Sequence, residues 1–472
     1  MKGATLAIAA VAALLLAAAP AGAKVSRARL VTVTAPPASH HADPGLKTYV
    51  YRFGPHRIGP YQVAKSTDVV SPPPVKGAIV AMDTRLVTRR GAEVPQYQVM
   101  LHHIVFTDGG PHGRRYDNAC PDRPVFERFF GTSEELRPLT LPRGYGYRIG
   151  PRDQWRASWM VMNHQARDRD ALIEYRVTVD RHPSVRPVEP LWLSALSCAH
   201  NRDPQWSVRG GAPPGSTAVR SRTWRLPVGG RIVAMGGHLH GGARALTLSE
   251  PACRGREIFR AQPTYANADD PLYAITPLLH EPDPKSISWS QSPTGWNVRK
   301  GMRLRVTAAY DGERPHMRVM GIAHVYVARG APGGTVCAPP PADVETLGPP
   351  FAGRSEPPAV DLTLATLGRD GRARPLDRPP GRLRRLAGDA RVTVDHFAFS
   401  APNLSIARGR RITWRFAGSM RHDATLASGP VGFASPTTYR GATWSRRFDT
   451  PGEYRIYCSF HPVYMSQYVR VR

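Results

Sequence analysis

Along most of its length the chain alternates short apolar runs with clusters of Gly, Pro and Asp. Runs of this length, rich in β-branched and aromatic residues and bounded by turn formers, predict strands rather than helices. The first set is Tyr49–Phe53, Ala78–Met82, Tyr97–Phe106, Ala157–Met162 and Ile173–Val179. A second set is Arg231–Met235, Ala245–Leu248, Met302–Ala308 and Ile322–Val327. A third lies near the end, where Tyr454, Ile456 and Cys458 fall at every second position of Glu453–Cys458 and Ser466–Arg472 forms a closing strand. The pattern predicts an all-β protein of sandwich or jelly-roll texture.

Breaks in the pattern divide the chain. Residues 1–23 read as a secretory signal peptide: Lys2, an apolar run from Ala4 to Ala19, then the small-residue site Ala21-Gly22-Ala23. Residues 24–44 are weakly patterned and read as a tether. Residues 45–197 and 198–337 form two β-sandwich or jelly-roll units. Residues 338–387 are rich in Pro, Arg and Gly and read as a linker with one ordered piece near Val360–Leu367. Residues 388–472 form the last unit. No later run reaches the roughly 18 apolar residues that span a bilayer. The expectation is a protein outside the cytoplasm: secreted, periplasmic or on the cell envelope.

Of five cysteines, four pair comfortably if one is otherwise engaged. An exported chain makes disulfides of the four, Cys120, Cys198, Cys253 and Cys337. Three pairings are open; Cys120–Cys198 with Cys253–Cys337 is favoured because each pair stays with one unit. The net charge of +28 raises the question of a polyanionic partner. The arginines are scattered along strands and loops without a long basic run or a nucleic-acid motif, so nucleic acid is not expected. The charge instead suits docking of an acidic redox partner or loose association with an anionic envelope.

The fifth cysteine carries the sharpest chemistry. Cys458, His461 and Met465 lie in one short loop, and His422 lies upstream. Two imidazoles, a thiolate and a weak axial thioether are the donors of an electron-transferring blue copper site. Residues 391–472 resemble the cupredoxins, the plastocyanin and amicyanin family, through the Cys-x-x-His-x-x-x-Met hairpin. The resemblance implies His422, Cys458, His461 and Met465 as ligands of type 1 copper. Cys458 is flanked by Tyr457 and Ser459, not by the histidines with which multicopper oxidases relay electrons onward.

Further candidate ligands precede it: His102-His103, His164 at the end of Trp159–His164, His238-Leu239-His240, and Met317 beside His316. His238 and His240 fall on one face of a strand and can hold one ion. Adjacent His102 and His103 point to opposite faces unless a bulge re-aims one. Met160, Met162 and His164 share a face. In this order the residues resemble the copper type II, ascorbate-dependent monooxygenases, the family of peptidylglycine α-hydroxylating monooxygenase. The resemblance covers roughly residues 45–337. It implies His102, His103 and His164 on an electron-storing copper, and His238, His240 and Met317 on the copper where oxygen is activated, with His316 as the rival of Met317. Gly236 stands where the peptide-amidating members carry a substrate-gripping Arg, so the substrate is left open. The implied reaction is a copper-dependent monooxygenation with a fused electron carrier and a small reductant such as ascorbate. The alternative is a non-catalytic copper carrier or store, and a merging of the two histidine groups into one cluster would favour it.

Overall fold

A computed structural model describes residues 28–35, 45–113, 116–117, 120–124, 126–198, 204–330, 337–349 and 351–472. The leader expected over 1–23 lies outside the described residues. The chain is all-β, and no helix among the described residues is long and apolar enough to cross a membrane.

The longest sheet has eleven strands and runs through both of the first two sandwiches. Its join is the strand Arg186–Ser194. That strand pairs in parallel with Tyr145–Ile149 through two residue pairs, Tyr145 with Arg186 and Gly146 with Pro187. On its other side it pairs antiparallel with Gly321–Arg329, from Val188 with Ala328 to Ser194 with Ile322.

Two four-stranded sheets face this one. The first holds Val63–Val70, Trp155–Asn163, Val99–Asp108 and Glu127–Ser133. Trp155, Ala157, Trp159 and Val161 bury one face of their strand in the first core. The intervening Arg156, Ser158 and Met160 turn to the opposite face, as period-two alternation requires. The second facing sheet holds Thr217–Arg225, Arg303–Asp311, Ala243–Glu250 and Arg256–Ala261. There Leu304, Val306, Ala308 and Tyr310 supply the second core while Arg303 and Arg305 face outward.

The C-terminal sandwich packs a five-stranded sheet on a four-stranded one. Trp414 is fully buried between them and donates its indole N–H to Gln467. Cys458 and Met465 belong to this third core.

Two connecting stretches are more ordered than their composition predicts. The expected tether contains a strand, Arg29–Thr34, on the edge of the long sheet, where it pairs antiparallel with Arg52 to Thr48. The expected linker is strapped down along its length. Glu345–Leu347 adds to the far edge of the long sheet, Tyr265 and Arg354 exchange backbone hydrogen bonds, and Leu364–Leu367 forms a hairpin with Ala373–Leu376. Disulfides join Cys120 to Cys198 and Cys253 to Cys337, leaving Cys458 as the free, buried thiol.

Candidate metal centres

In the C-terminal sandwich, the Gly452–Tyr457 strand ends by delivering Cys458 to the sheet end. The loop then closes on itself: Cys458 N donates to Met465 O, and Met465 N donates to His461 O. His422 is held opposite by mutual backbone hydrogen bonds with Thr438. The result sets Cys458 Sγ 3.8 Å from His422 Nδ1 and 3.5 Å from His461 Nδ1. Burial pushes the Cys458 thiol up and lowers both imidazoles, His461 to about 4. A thiol disfavoured as a bare anion beside two neutral imidazoles suits a soft cation, which would stabilise the thiolate. Met465 is fully buried beside Cys458 in the same core. The donor set fits copper.

The body carries a second concentration of donors. The Val99–Asp108 strand has an irregularity opposite Met160 and Val161: His103 pairs with Met160 and Leu101 with Val161, so His102 is the extra residue. Leu101 and Ile104 stay in the first core, and the two histidines between them come side by side, ring centroids 5.1 Å apart. The bulge thus re-aims one histidine of the pair. At the end of the Gly230–Leu239 strand, its alternation carried one residue further places His238 and His240 together, Nε2 to Nε2 3.1 Å. Gly236 and Gly237 have no room for a side chain, since a Cβ would strike Trp289 and Ala261.

These two pairs meet. The His102 and His240 rings are 5.5 Å apart. His102 therefore joins two possible donor triads, one with Glu134 and His280, the other with His240 and Asp283. His102 Nδ1 lies 2.7 Å from Glu134 Oε1. His280 Nε2 reaches the same oxygen at 2.6 Å, at ion-pair distance rather than in a straight hydrogen bond. Asp283 Oδ1 accepts from Gly241 N and lies 3.6 Å from His240 Nδ1. His164, at the end of the Trp155–Asn163 strand, is buried with both ring nitrogens lacking a protein partner.

Burial sets the electrostatics. It holds His102 and His103 down, His240 well down and His164 at about 3, so these imidazoles are neutral with lone pairs available. Burial also works against a charged His280, but the adjacent Glu134 outweighs it and raises that group. Burial pushes the Glu134 carboxyl up, yet His280 and His102 more than offset it and keep it ionised. Asp283 is raised by burial and by the Glu134 charge. Neutral imidazoles around an ionised carboxylate can hold a transition-metal dication.

The arrangement differs from the sequence expectation in how the histidines group. His102, His103 and His164 do not stand apart from His238 and His240; the groups form one cluster. Met317 is half-buried against the third core and lines a gap that His240 also lines. Its rival His316 is engaged by carboxylates, Nδ1 2.9 Å from Glu281 and Nε2 3.6 Å from Asp311. Sequence reasoning missed Glu134, His280 and Asp283. The dense run His280-Glu281-Pro282-Asp283 was a readable signal, but loop residues lack the periodicity that marked the strands.

That gap, about 140 Å³ in volume, lies between the body cluster and the residues that flank Cys458. His102, His240 and His280 line it from the body, and Tyr457 and Ser459 from the Cys458 side. Arg318 fastens the seam. Its guanidinium lies 3.0 Å from Asp423 and donates to Ser435 O at 2.9 Å. Asp423 in turn accepts from Ser459 N at 2.9 Å, one residue from Cys458.

No family model matches the chain. Over 280 residues it is 26% identical to the probable copper-dependent oxygenase M1 of a Phoma species, a match covering 55% of this chain and 66% of that protein. A match to the probable copper-dependent oxygenase clz3 of Cochliobolus lunatus is 27% identical over 248 residues, covering 49% and 72%. Amicyanin-alpha of Methylorubrum extorquens is 29% identical over 79 residues, covering 16% and 66%. Among solved structures, a purple cupredoxin from Nitrosopumilus maritimus aligns at 29% identity over 18% of this chain and 100% of its own, with a TM-score of 0.17. The chain is thus similar to two probable copper-dependent oxygenases over about half its length and to an amicyanin over a shorter span.

Proposed function

We propose that the protein is an exported copper oxidoreductase of the oxygenase type, in which a cupredoxin is seated on the reaction centre that it serves. Similarity to copper-dependent oxygenases and to amicyanin supports a copper protein of the oxidoreductase class. The observation that carries the finer reading is the shared gap: Ser459, next to Cys458, faces the same small space as His102, His240 and His280. A carrier fixed there works at a high effective concentration.

His422, Cys458, His461 and Met465 would hold one copper. His102, His240 and His280, with Glu134 and Asp283, would hold metal in the body. Copper, when bound, supplies one-electron redox chemistry and the activation of dioxygen. The protein's residues do the rest. Glu134 fixes the His102 and His280 rings, Asp283 fixes the loop after His240 through Gly241, and Arg318 with Asp423 keeps the Cys458 loop against the gap. A small reductant such as ascorbate, or a redox protein, would supply electrons.

The merged cluster favours a second reading, a copper carrier or store without catalysis, because the His102 and His240 rings lie 5.5 Å apart rather than in two distant sites. Imidazole and carboxylate also lack the preference for reduced copper that a thioether would bring. Metal analysis and oxygen uptake separate the readings. Fully loaded protein should bind more than one copper per chain, absorb strongly in the visible through its thiolate, and consume oxygen with ascorbate. Cys458→Ser should lose the colour and retain the body metal. One copper per chain, or full loading without oxygen uptake, selects the carrier.

A further inference from the structure

Asp423 is fully buried, follows His422 in sequence and is hydrogen-bonded to the residue after Cys458. Its Oδ1 accepts from Ser459 N and from Thr425 Oγ1, each at 2.9 Å, and its Oδ2 accepts from Ser459 Oγ. The carboxylate therefore sits behind the donors of the Cys458 centre, and its charge is felt at each. Burial pushes the Cys458 thiol up, and Asp423 adds to the push. Burial holds His422 and His461 down, with His422 adding to it at His461, and Asp423 pulls against it at both. A buried anion beside a redox metal favours the more highly charged, oxidised ion.

The body answers this charge with a cation. Arg318 lies on the short strand His316–Val319, which pairs antiparallel with Trp206–Val208. Its Nη2 is 3.0 Å from Asp423 Oδ2. The same nitrogen donates to Ser435 O at 2.9 Å and to Thr425 Oγ1 at 3.2 Å, while Nη1 donates to Gln205 at 3.3 Å. Only 18% of the Arg318 side chain is exposed, so solvent ions screen the pair little. Asp423, Thr425 and Ser435 all belong to the C-terminal sandwich, so the guanidinium compensates Asp423 only while that sandwich is seated. The seat does not depend on this contact alone. Gly432 N donates to Arg209 O at 2.7 Å across the seam. Val463, from the loop between His461 and Met465, is buried in a cluster with Met100, Met162 and Leu279 of the body.

We propose that Arg318 is a positioning residue for the carrier's copper: acting through Asp423, it offsets the carboxylate behind the ligands, so that the seated carrier takes up an electron more readily than the same carrier unseated. The step is a one-electron reduction of the oxidised ion by a supplied reductant, and no bond is made or broken. The proposal deepens the copper reading of the Cys458 centre and rests on it, but not on catalysis in the body.

The test is a redox equilibrium of the full, copper-loaded chain against the ferricyanide–ferrocyanide couple, read from the visible band of the thiolate. Uncovering one charge on the order of 10 Å from a redox centre, at an effective dielectric of about 20, shifts its equilibrium about tenfold. At a fixed ambient potential, Arg318→Gln should therefore lower the ratio of reduced to oxidised copper about tenfold, which is about 59 mV for a one-electron couple. Arg318→Lys keeps the charge and should stay closer to wild type than to Arg318→Gln. Asp423→Asn alone should raise the ratio. Arg318→Gln combined with Asp423→Asn removes both charges and should return the ratio close to wild type, whereas a merely structural role would leave the double variant at least as disturbed as the single one. The exposed Arg225→Gln should leave the ratio unchanged. Arg318→Gln at the wild-type ratio, Asp423→Asn without a rise, or a double variant as low as the single one each overturns the proposal. An oxidised, copper-loaded chain without colour removes the copper reading and this proposal with it, while a coloured chain whose ratio ignores Arg318 removes the proposal alone.

Discussion

Arg318 has a backbone φ of 56°, a left-handed conformation that costs a non-glycine residue free energy unless its surroundings hold it. The compensation is visible in its partners: the fully buried Asp423, the Ser435 carbonyl and Thr425. Removing one member of a buried pair strands the other charge, which typically costs about 3 kcal/mol. Arg318→Ala should therefore loosen the seam without disturbing His422, Cys458 or His461. The expected result is unchanged visible colour at room temperature, earlier thermal release of the C-terminal sandwich, and faster proteolysis within residues 338–387. Unaltered proteolysis and melting would mean the seam is held elsewhere, for example by Met317 against Gly432, where an added Cβ would come within 3.2 Å of the Met317 sulfur.

At the scale of elements, the disulfides lend themselves to measurement. Cys253–Cys337 closes a loop of 84 residues and fixes the start of the strap that crosses the second sandwich. The chain-entropy estimate for a loop of that length is about 4.5 kcal/mol. Replacing both cysteines with serine should lower the melting temperature of the body clearly while the blue chromophore survives, as differential scanning calorimetry alongside visible absorbance would record. How much of the architecture the chain disclosed follows from the same elements. Strands announced themselves by alternation, so His238 and His240 were placed together from spacing alone. The Cys458 loop was legible because its donors are neighbours in sequence. The bulge at His102 was not: it depends on how Val99–Asp108 registers with Trp155–Asn163, a long-range pairing that leaves no local mark. For the same reason nothing local placed His102 and His280, far apart in the chain, on one oxygen of Glu134. The strand hidden in the expected tether was missed because all six of its residues are exposed, so it lacks the buried stripe by which strands are recognised.

For the whole molecule, the long sheet is the feature with the widest consequence. Arg186–Ser194 shares backbone hydrogen bonds with both sandwiches, and its side chains enter both cores: Val188 the first, Leu191 and Leu193 the second. Swinging one sandwich away from the other would tear a ladder and open both interiors at once. Among the described residues the join therefore offers no hinge, and calorimetry should resolve one cooperative transition for the body, with the C-terminal sandwich melting separately; two transitions within the body would contradict this. A molecule built in this way cannot close around its ligand or bring distant metals together by bending. It must hold its reactive geometry ready-made, and traffic into and out of the histidine cluster is left to diffusion through standing openings rather than to any clamshell motion.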